Sequence, residues 1–291
     1  MALGTVVFYP NYFHYAGFTR SSEPSITAES YTCSGGETSN GVYDVVDNRR
    51  GNVVTIDTNG ETTEPTLDMD LSTSVVATIS PTFQILDNHN LTTADAQVKV
   101  QYGTGPTDRT LTAAYSGVYG EALSTESVSS NYIQNPADGI LLATHAAVAS
   151  SHWNLLFLYD PDSYDADITI GEWAAGVSCT PSYSPEVGSI YTYQYKGVTN
   201  NVTSGGVKYG FKRYGKQRAW KLTWEYLSAT DRSNLETVFD VTSGEDYPFW
   251  IDLGEAATPQ LYYVRFVGNK LDFKYVTGGA YSLSVVIEEE A

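Results

Sequence analysis

Short runs of β-branched and aromatic residues, each closed by Gly, Asn, Asp or Pro, fill the first 180 positions, and no sustained 3.6-residue apolar period interrupts them. Strand-like stretches fall at 53–56, 74–79, 82–86, 96–102, 110–115, 155–159 and 168–173. Between them stand turn clusters such as Thr58-Asn59-Gly60, Asp87-Asn88-His89-Asn90, Gly103-Thr104-Gly105-Pro106 and Asp160-Pro161-Asp162. Val98, Val100 and Tyr102 alternate with Lys99 and Gln101, the two-residue period of a strand with one buried face. The 23 tyrosines and 25 glycines agree with pleated, half-buried surfaces joined by turns. The expected fold class is mainly all-β: a β-sandwich or jelly roll first, then a smaller β-rich α+β module with one helix.

The division is expected at Thr180-Pro181-Ser182-Tyr183-Ser184-Pro185, where two prolines interrupt helix and ladder alike, giving units 1–185 and 186–291. Charge changes at the same point. Residues 1–185 carry 5 basic and 21 acidic side chains, a balance of −16, whereas 186–291 carry 11 and 13, a balance of −2. In the second unit, Trp220, Leu222, Trp224 and Tyr226 occupy one face of an alternating strand. Ser228 with Asp231 three residues later forms a helix-capping signature, so a helix is expected near 229–241, with Leu235, Val238 and Phe239 as its apolar stripe and Gly244 as its stop. A meander is expected after it: strands at 261–267, 271–276 and 281–287, turning at Gly268-Asn269 and Thr277-Gly278-Gly279.

A formal charge of −18 opposes binding to phosphate backbones, which requires Lys and Arg to neutralise them. No basic start with an apolar core precedes residue 20, and no apolar run reaches the length of a membrane span, so neither a signal peptide nor membrane insertion is expected. Two cysteines, Cys33 and Cys179, make neither a disulfide framework nor a thiolate zinc site, and sequence leaves their pairing open. His14, His89, His145 and His152 show no metal-ligand spacing, and HExxH and GxSxG are absent. No cofactor and no catalytic residue is therefore expected. The acids Asp160, Asp162 and Asp165 offer oxygen ligands for Ca²⁺, but their order departs from a helix–loop–helix calcium loop, and a charged hairpin loop explains them too. Tyr9, Tyr12, Phe13 and Tyr15, with Tyr191, Tyr193 and Tyr195, supply amphipathic rings of the kind found at interfaces and sugar platforms, or simply pack within their own unit.

Two resemblances follow from these residues. Residues 40–178, through the strand at 75–79, Asp87-Asn88-His89-Asn90-Leu91, the strand at 96–102, Trp153 to Leu158 and Ile168-Thr169-Ile170-Gly171-Glu172-Trp173, resemble galactose-binding-like jelly rolls. Residues 210–291, through Arg218 to Ser228, Tyr247-Pro248-Phe249-Trp250-Ile251-Asp252, Tyr262-Tyr263-Val264-Arg265-Phe266 and the closing Tyr281 to Glu289, are similar to C-terminal parts of tailed-phage minor and distal tail proteins. That second resemblance implies a non-catalytic virion component, made in the host cytoplasm, that assembles with other virion proteins and with copies of itself in a ring. The expected assembly surface is Lys212, Arg213, Arg218, Trp220, Trp224, Tyr191 and Tyr193. The rival expectations are a carbohydrate-binding module contacting host glycans and a glycoside hydrolase built on two carboxylates.

Overall fold

The computed structural model describes residues 3–13, 25–28, 31–33, 45–46, 52–56, 66–72, 78–103, 111–120, 125–134, 136–159, 167–186, 190–195, 198–202, 208–212 and 216–290. Strand dominates, and the chain forms two compact units, Tyr9–Ser178 and Met1–Phe8 with Cys179–Ala291. Among the described residues no helix is long and apolar enough to cross a membrane.

The first unit is a jelly-roll sandwich of antiparallel sheets. One sheet runs in the order Val128–Ser129, Tyr132–Ile133, Ala96–Gly103, His152–Tyr159, Thr66–Asp70, Ser25–Ala28, with Leu111–Thr112 also on Ala96–Gly103. The facing sheet runs Glu172–Gly176, Phe83–His89, Gly139–His145, Tyr115–Tyr119. The two-residue period decides which side chains meet between them. Trp153, Leu155 and Phe157 from one sheet, with Val98, Val100, Leu67 and Met69, pack against Leu86, Leu141, Ala143 and Trp173 from the other. Each fully buried large side chain of this kind is worth about 1.5–3 kcal/mol.

The stretch expected as one strand at 168–173 is two. Ile168–Ile170 pairs with Val54–Ile56 in a three-stranded sheet, while Glu172–Gly176 pairs with Phe83–His89. Gly171 is the switch: its amide donates to both Asp87 O and Asn88 O, at 3.1 and 3.2 Å, across from a left-handed Asn88 (φ 54°).

The second unit holds a main sheet in the order Val7–Tyr9, Phe249–Asp252, Leu261–Phe266, Tyr281–Glu289, Lys216–Leu227, Ile190–Tyr195, a two-stranded sheet of Val198–Val202 and Lys208–Lys212, and the helix Ala229–Val241. Two expectations change here. Val6 and Phe8 are buried in this unit's core with Trp224 and Phe249, so its first residues come from the N-terminus, which the division at 185 leaves in the first unit. The Pro-rich stretch is part of the unit as well: Pro181 and Pro185 are buried, Trp224 Nε1 donates to Tyr183 O at 3.0 Å, and the Ser182 amide and hydroxyl both donate to Asp231 Oδ1 at 3.0 Å.

Tyr226 does not share the face of Trp220, Leu222 and Trp224. A register shift against Tyr281–Glu289 between Trp224 and Leu227 turns Leu227 inward and leaves Tyr226 54% exposed. The strand expected at 271–276 shortens to Lys274–Tyr275, which lies exposed on the sheet margin. The helix starts as its capping signature requires. Ser228 Oγ accepts from the Asp231 amide at 3.0 Å, and Asp231 Oδ2 accepts from the Ser228 amide at 3.0 Å. Leu235 and Val238 are buried, and the Phe239 ring meets Phe266 edge-on at 5.3 Å. At the far end Gly244 takes a left-handed conformation (φ +69°) and donates to Phe239 O.

Asp231 thus serves helix cap and Pro-rich stretch together. Burial raises its pKa, but hydrogen bonds from Ser228 and Ser182 outweigh this and lower it. Asp231→Ala is expected to cost about 1–2 kcal/mol of stability of the second unit, read in urea unfolding followed by tryptophan fluorescence. An unchanged midpoint would contradict the cap's role.

Candidate functional site

The two outer faces of the sandwich differ. That of the four-stranded sheet is apolar over Phe83, Ile85, Leu142 and Ala174, all buried. Residues 10–13 run over it: Asn11 Nδ2 donates to Glu172 Oε1 at 3.0 Å, and the Pro10 carbonyl approaches Gly176 so closely that any side chain there would collide with it.

The outer face of the seven-stranded sheet is polar, and strand register sets its polar groups in rows. Asp70, His152 and Gly103 are cross-strand partners, and so are Asp68, Asn154 and Gln101, then Thr66, Leu156 and Lys99, then Leu158 and Gln97. Because Leu67, Met69, Trp153, Leu155, Val98 and Val100 face the core, every member of these rows faces away from it. The hairpin strand Tyr132–Ile133 extends the face by one strand: Ile133, opposite Val98, enters the core, and Tyr132 turns outward. Ser130 (φ 50°) and Asn131 (φ 65°) make the two left-handed residues of its tight turn, a conformation that short polar side chains tolerate. Lys99 Nζ stands 4.3 Å from the Tyr132 ring centroid, and Gln134 Nε2 donates to Gln97 Oε1 at 2.8 Å.

The face is sheltered, with His152 at 4%, Asn154 at 5% and Gln101 at 9% exposure. His152 Nε2 lies 3.1 Å from Asp70 Oδ1, and Ser151 Oγ lies 2.9 Å from Nδ1. With its hydrogen on Nε2 the ring donates to the carboxylate and accepts from the hydroxyl. Burial opposes ionisation of Asp70, but hydrogen bonds from Ser72 and the facing His152 prevail and hold its carboxyl below the usual range. Asn154 Oδ1 is different: it is buried and has no hydrogen-bond partner. Such an unfilled acceptor costs about 1–3 kcal/mol in the free protein.

The remaining described histidines are scaffold. Burial pushes His89 down to about 4, partly offset by Asp138, and its Nδ1 accepts from the Leu91 amide at 3.4 Å. His145 is lowered by burial and is held between the Ala146 carbonyl, 2.8 Å from Nδ1, and Gln84, whose Oε1 accepts from Trp173 Nε1. The Cys179 thiol is free, lies in the second unit's core and is pushed up to about 12 by burial and by Asp231.

The residues expected to form an assembly surface do not form one together. Trp220 and Trp224 are 1% exposed members of the second unit's core, because their face of the sheet is the one that packs. Arg218 is committed inside the unit: its guanidinium pairs twice with the Glu289 carboxylate and lies 4.3 Å from the Tyr262 ring centroid. Tyr193, opposite Arg218, is 52% exposed. Tyr191 and Lys212 lie on described strands, but their side chains are outside the described residues, as are Arg213, Asp160, Asp162 and Asp165. Among the described residues no cluster of His, Cys, Asp and Glu fits a metal ion.

Sequence reading missed the polar face. The alternation of Lys99 and Gln101 with valines signalled one strand of it, and Thr66-Leu67-Asp68-Met69-Asp70 carries the same signal unused. The pairing of Asp68 with Asn154 joins positions far apart in the chain, which no local pattern encodes.

No family model matches this sequence, and no curated protein matches it. Among solved structures it is similar to the CBM32 of AlyQ in complex with 4,5-unsaturated mannuronic acid, at 10% identity and TM-score 0.35, covering 52% of this chain and 92% of that one. It is similar to a pectin-binding carbohydrate-binding module, at 11% identity and TM-score 0.32 over 53% and 91%. It is also similar to the family 32 carbohydrate-binding module of Streptococcus pneumoniae EndoD, at 11% identity and TM-score 0.31 over 52% and 95%.

Because Asp70 has a depressed folded-state pKa, its stabilisation is full above the unfolded carboxylate value and is lost as pH falls through the folded one. Asp70→Asn is expected to lower stability by about 1 kcal/mol at pH 7, with the gap to the parent closing below about pH 4. Denaturant midpoints for both proteins across pH 3–7 check this; a constant gap would contradict the assignment.

Proposed function

We propose that this chain is a non-catalytic carbohydrate-binding protein whose ligand lies on the polar outer face of the seven-stranded sheet. The observation that carries the reading is the in-register row of Asp68, Asn154 and Gln101, with the buried, unfilled Asn154 Oδ1 at its centre. Sugars present closely spaced hydroxyls, each a donor and an acceptor, and planar amides and carboxylates held on rigid strands match them without reordering. The unfilled acceptor favours a bound hydroxyl because its desolvation is already incurred in the free protein. Tyr132, held beside Lys99, supplies an aromatic surface for the apolar face of a sugar ring.

Two features support binding without turnover. A glycosidase needs one carboxyl with a raised pKa as its acid; on this face the Asp70 carboxyl is lowered, and the carboxyl that burial raises, Asp252, belongs to the other unit. Both ring nitrogens of His152 are engaged, one by Asp70 and one by Ser151.

Tyr132→Ala is expected to weaken polysaccharide binding about tenfold, or about 1.4 kcal/mol, with the thermal midpoint nearly unchanged. Affinity gel electrophoresis beside thermal melting measures both. Equal retention of variant and parent would argue against this face.

A second reading concerns the C-terminal unit as the part that docks the chain into a tailed-phage virion, as a ring of copies. One observation favours it: the strand Ile190–Tyr195 pairs only with Lys216–Leu227 among the described strands, leaving an open edge that carries the exposed Tyr193. Concentration-dependent light scattering is expected to show self-association that Tyr193→Glu weakens. A monomer at every concentration would remove the ring.

A further inference from the structure

Resting on the carbohydrate reading, we infer that Gln134 is the positioning residue of this face: its side-chain amide docks the hairpin at 128–133 onto the sheet and so fixes the Tyr132 ring where a sugar packs. The hairpin needs such a residue. Its strands, Val128–Ser129 and Tyr132–Ile133, are two residues each, and among the described residues only Ile133, opposite Val98, pairs with the larger sheet. A two-stranded hairpin is marginal by itself in water. Its turn adds a cost, because Ser130 and Asn131 both hold left-handed conformations. Val128 is 44% exposed, so the outer strand gains little from burial.

Ile133 and Gln134 hold the hairpin in different ways. Ile133 is fully buried in the core, which fixes the depth of its strand but not the swing of the hairpin about that one anchor. Gln134 follows directly. Its backbone amide donates to Ser127 O at 2.9 Å and closes the base of the hairpin. Its side-chain Nε2 has two hydrogens and meets three acceptors: Gln97 Oε1 at 2.8 Å, Tyr132 O at 3.0 Å and Ser129 O at 3.4 Å. One amide thus ties both hairpin strands to a side chain of Ala96–Gly103.

The consequence falls on Tyr132. Antiparallel pairing of Ile133 with Val98 sets Tyr132 beside Lys99 and Gln134 beside Gln97. The Lys99 ammonium stands 4.3 Å from the Tyr132 ring centroid, a contact that lasts only while the strand stays docked. A ring already held in place loses little freedom when a ligand packs on it, so Gln134 contributes to affinity through Tyr132.

The test uses Gln134→Met in the full chain, which keeps the length and bulk of the side chain and removes its donors. Two measurements separate this inference from the reading it rests on. The first needs no ligand. The Tyr132 ring shifts the proton signals of the Lys99 methylene next to the ammonium. Gln134→Met is expected to remove most of that shift, as Tyr132→Ala does, with the thermal midpoint nearly unchanged. A Lys99 signal that stays put in Gln134→Met would overturn the inference.

The second is a double-mutant cycle in affinity gels containing hydroxyethyl-cellulose, glucomannan, galactan, alginate or polygalacturonate. In the polymer that retains the parent most, Gln134→Met is expected to weaken binding about fivefold alone, and by less than about twofold in the Tyr132→Ala background. Equal losses in both backgrounds would show Gln134 acting apart from Tyr132 and would overturn the inference. Retention by none of the polymers would overturn the carbohydrate reading, and the Lys99 signal would still decide whether Gln134 holds Tyr132.

Discussion

The strand His152–Tyr159 holds the sandwich together, because it pairs on both sides and is apolar on alternate positions. Its residues match Thr66–Asp70 on one flank and Ala96–Gly103 on the other, without a register shift. Trp153, Leu155 and Phe157 go inward as a consequence and are fully buried. The same geometry forces His152, Asn154, Leu156 and Leu158 outward. A slip of one residue would bury the polar row and expose the tryptophan, so core and candidate site are fixed by a single register.

That coupling explains how a face of amides and carboxylates is held rigidly. None of its side chains sits on a loop; each is set by a ladder whose opposite face is core. Local reinforcement comes from His152, bridged between Ser151 and Asp70, and from Gln134, which donates to Gln97 and to the Tyr132 carbonyl. The other sheet uses its outer face differently, covering it with the segment at 10–13, whose Asn11 donates to Glu172.

Much of the architecture was legible because it follows from periodicity and caps. The strands expected at 53–56, 96–102 and 155–159 stand at 54–56, 96–103 and 152–159, the last starting three residues earlier, and the helix and the Ser228–Asp231 box stand where capping chemistry puts them. What failed did so for identifiable reasons. Tyr226 left its face at a register shift, an event that depends on the partner strand. The prolines at 181 and 185 joined the second unit because Tyr183 O and the Ser182 amide and hydroxyl found partners there in Trp224 and Asp231. Trp220 and Trp224 were misread as a docking surface, since an aromatic strand face looks the same in sequence whether a core or a partner covers it. The candidate site escaped notice because it is assembled from four strands, and its row of Asp68, Asn154 and Gln101 exists only after pairing.

The most direct measurement is nitrogen-15 NMR of the side-chain amides during titration with an oligosaccharide. The account predicts that the Asn154, Gln101, Gln97 and Gln134 signals shift together and saturate at one concentration, with Asn154 moving most as its acceptor is filled. Signals that stay fixed while residues elsewhere in the chain respond would contradict it.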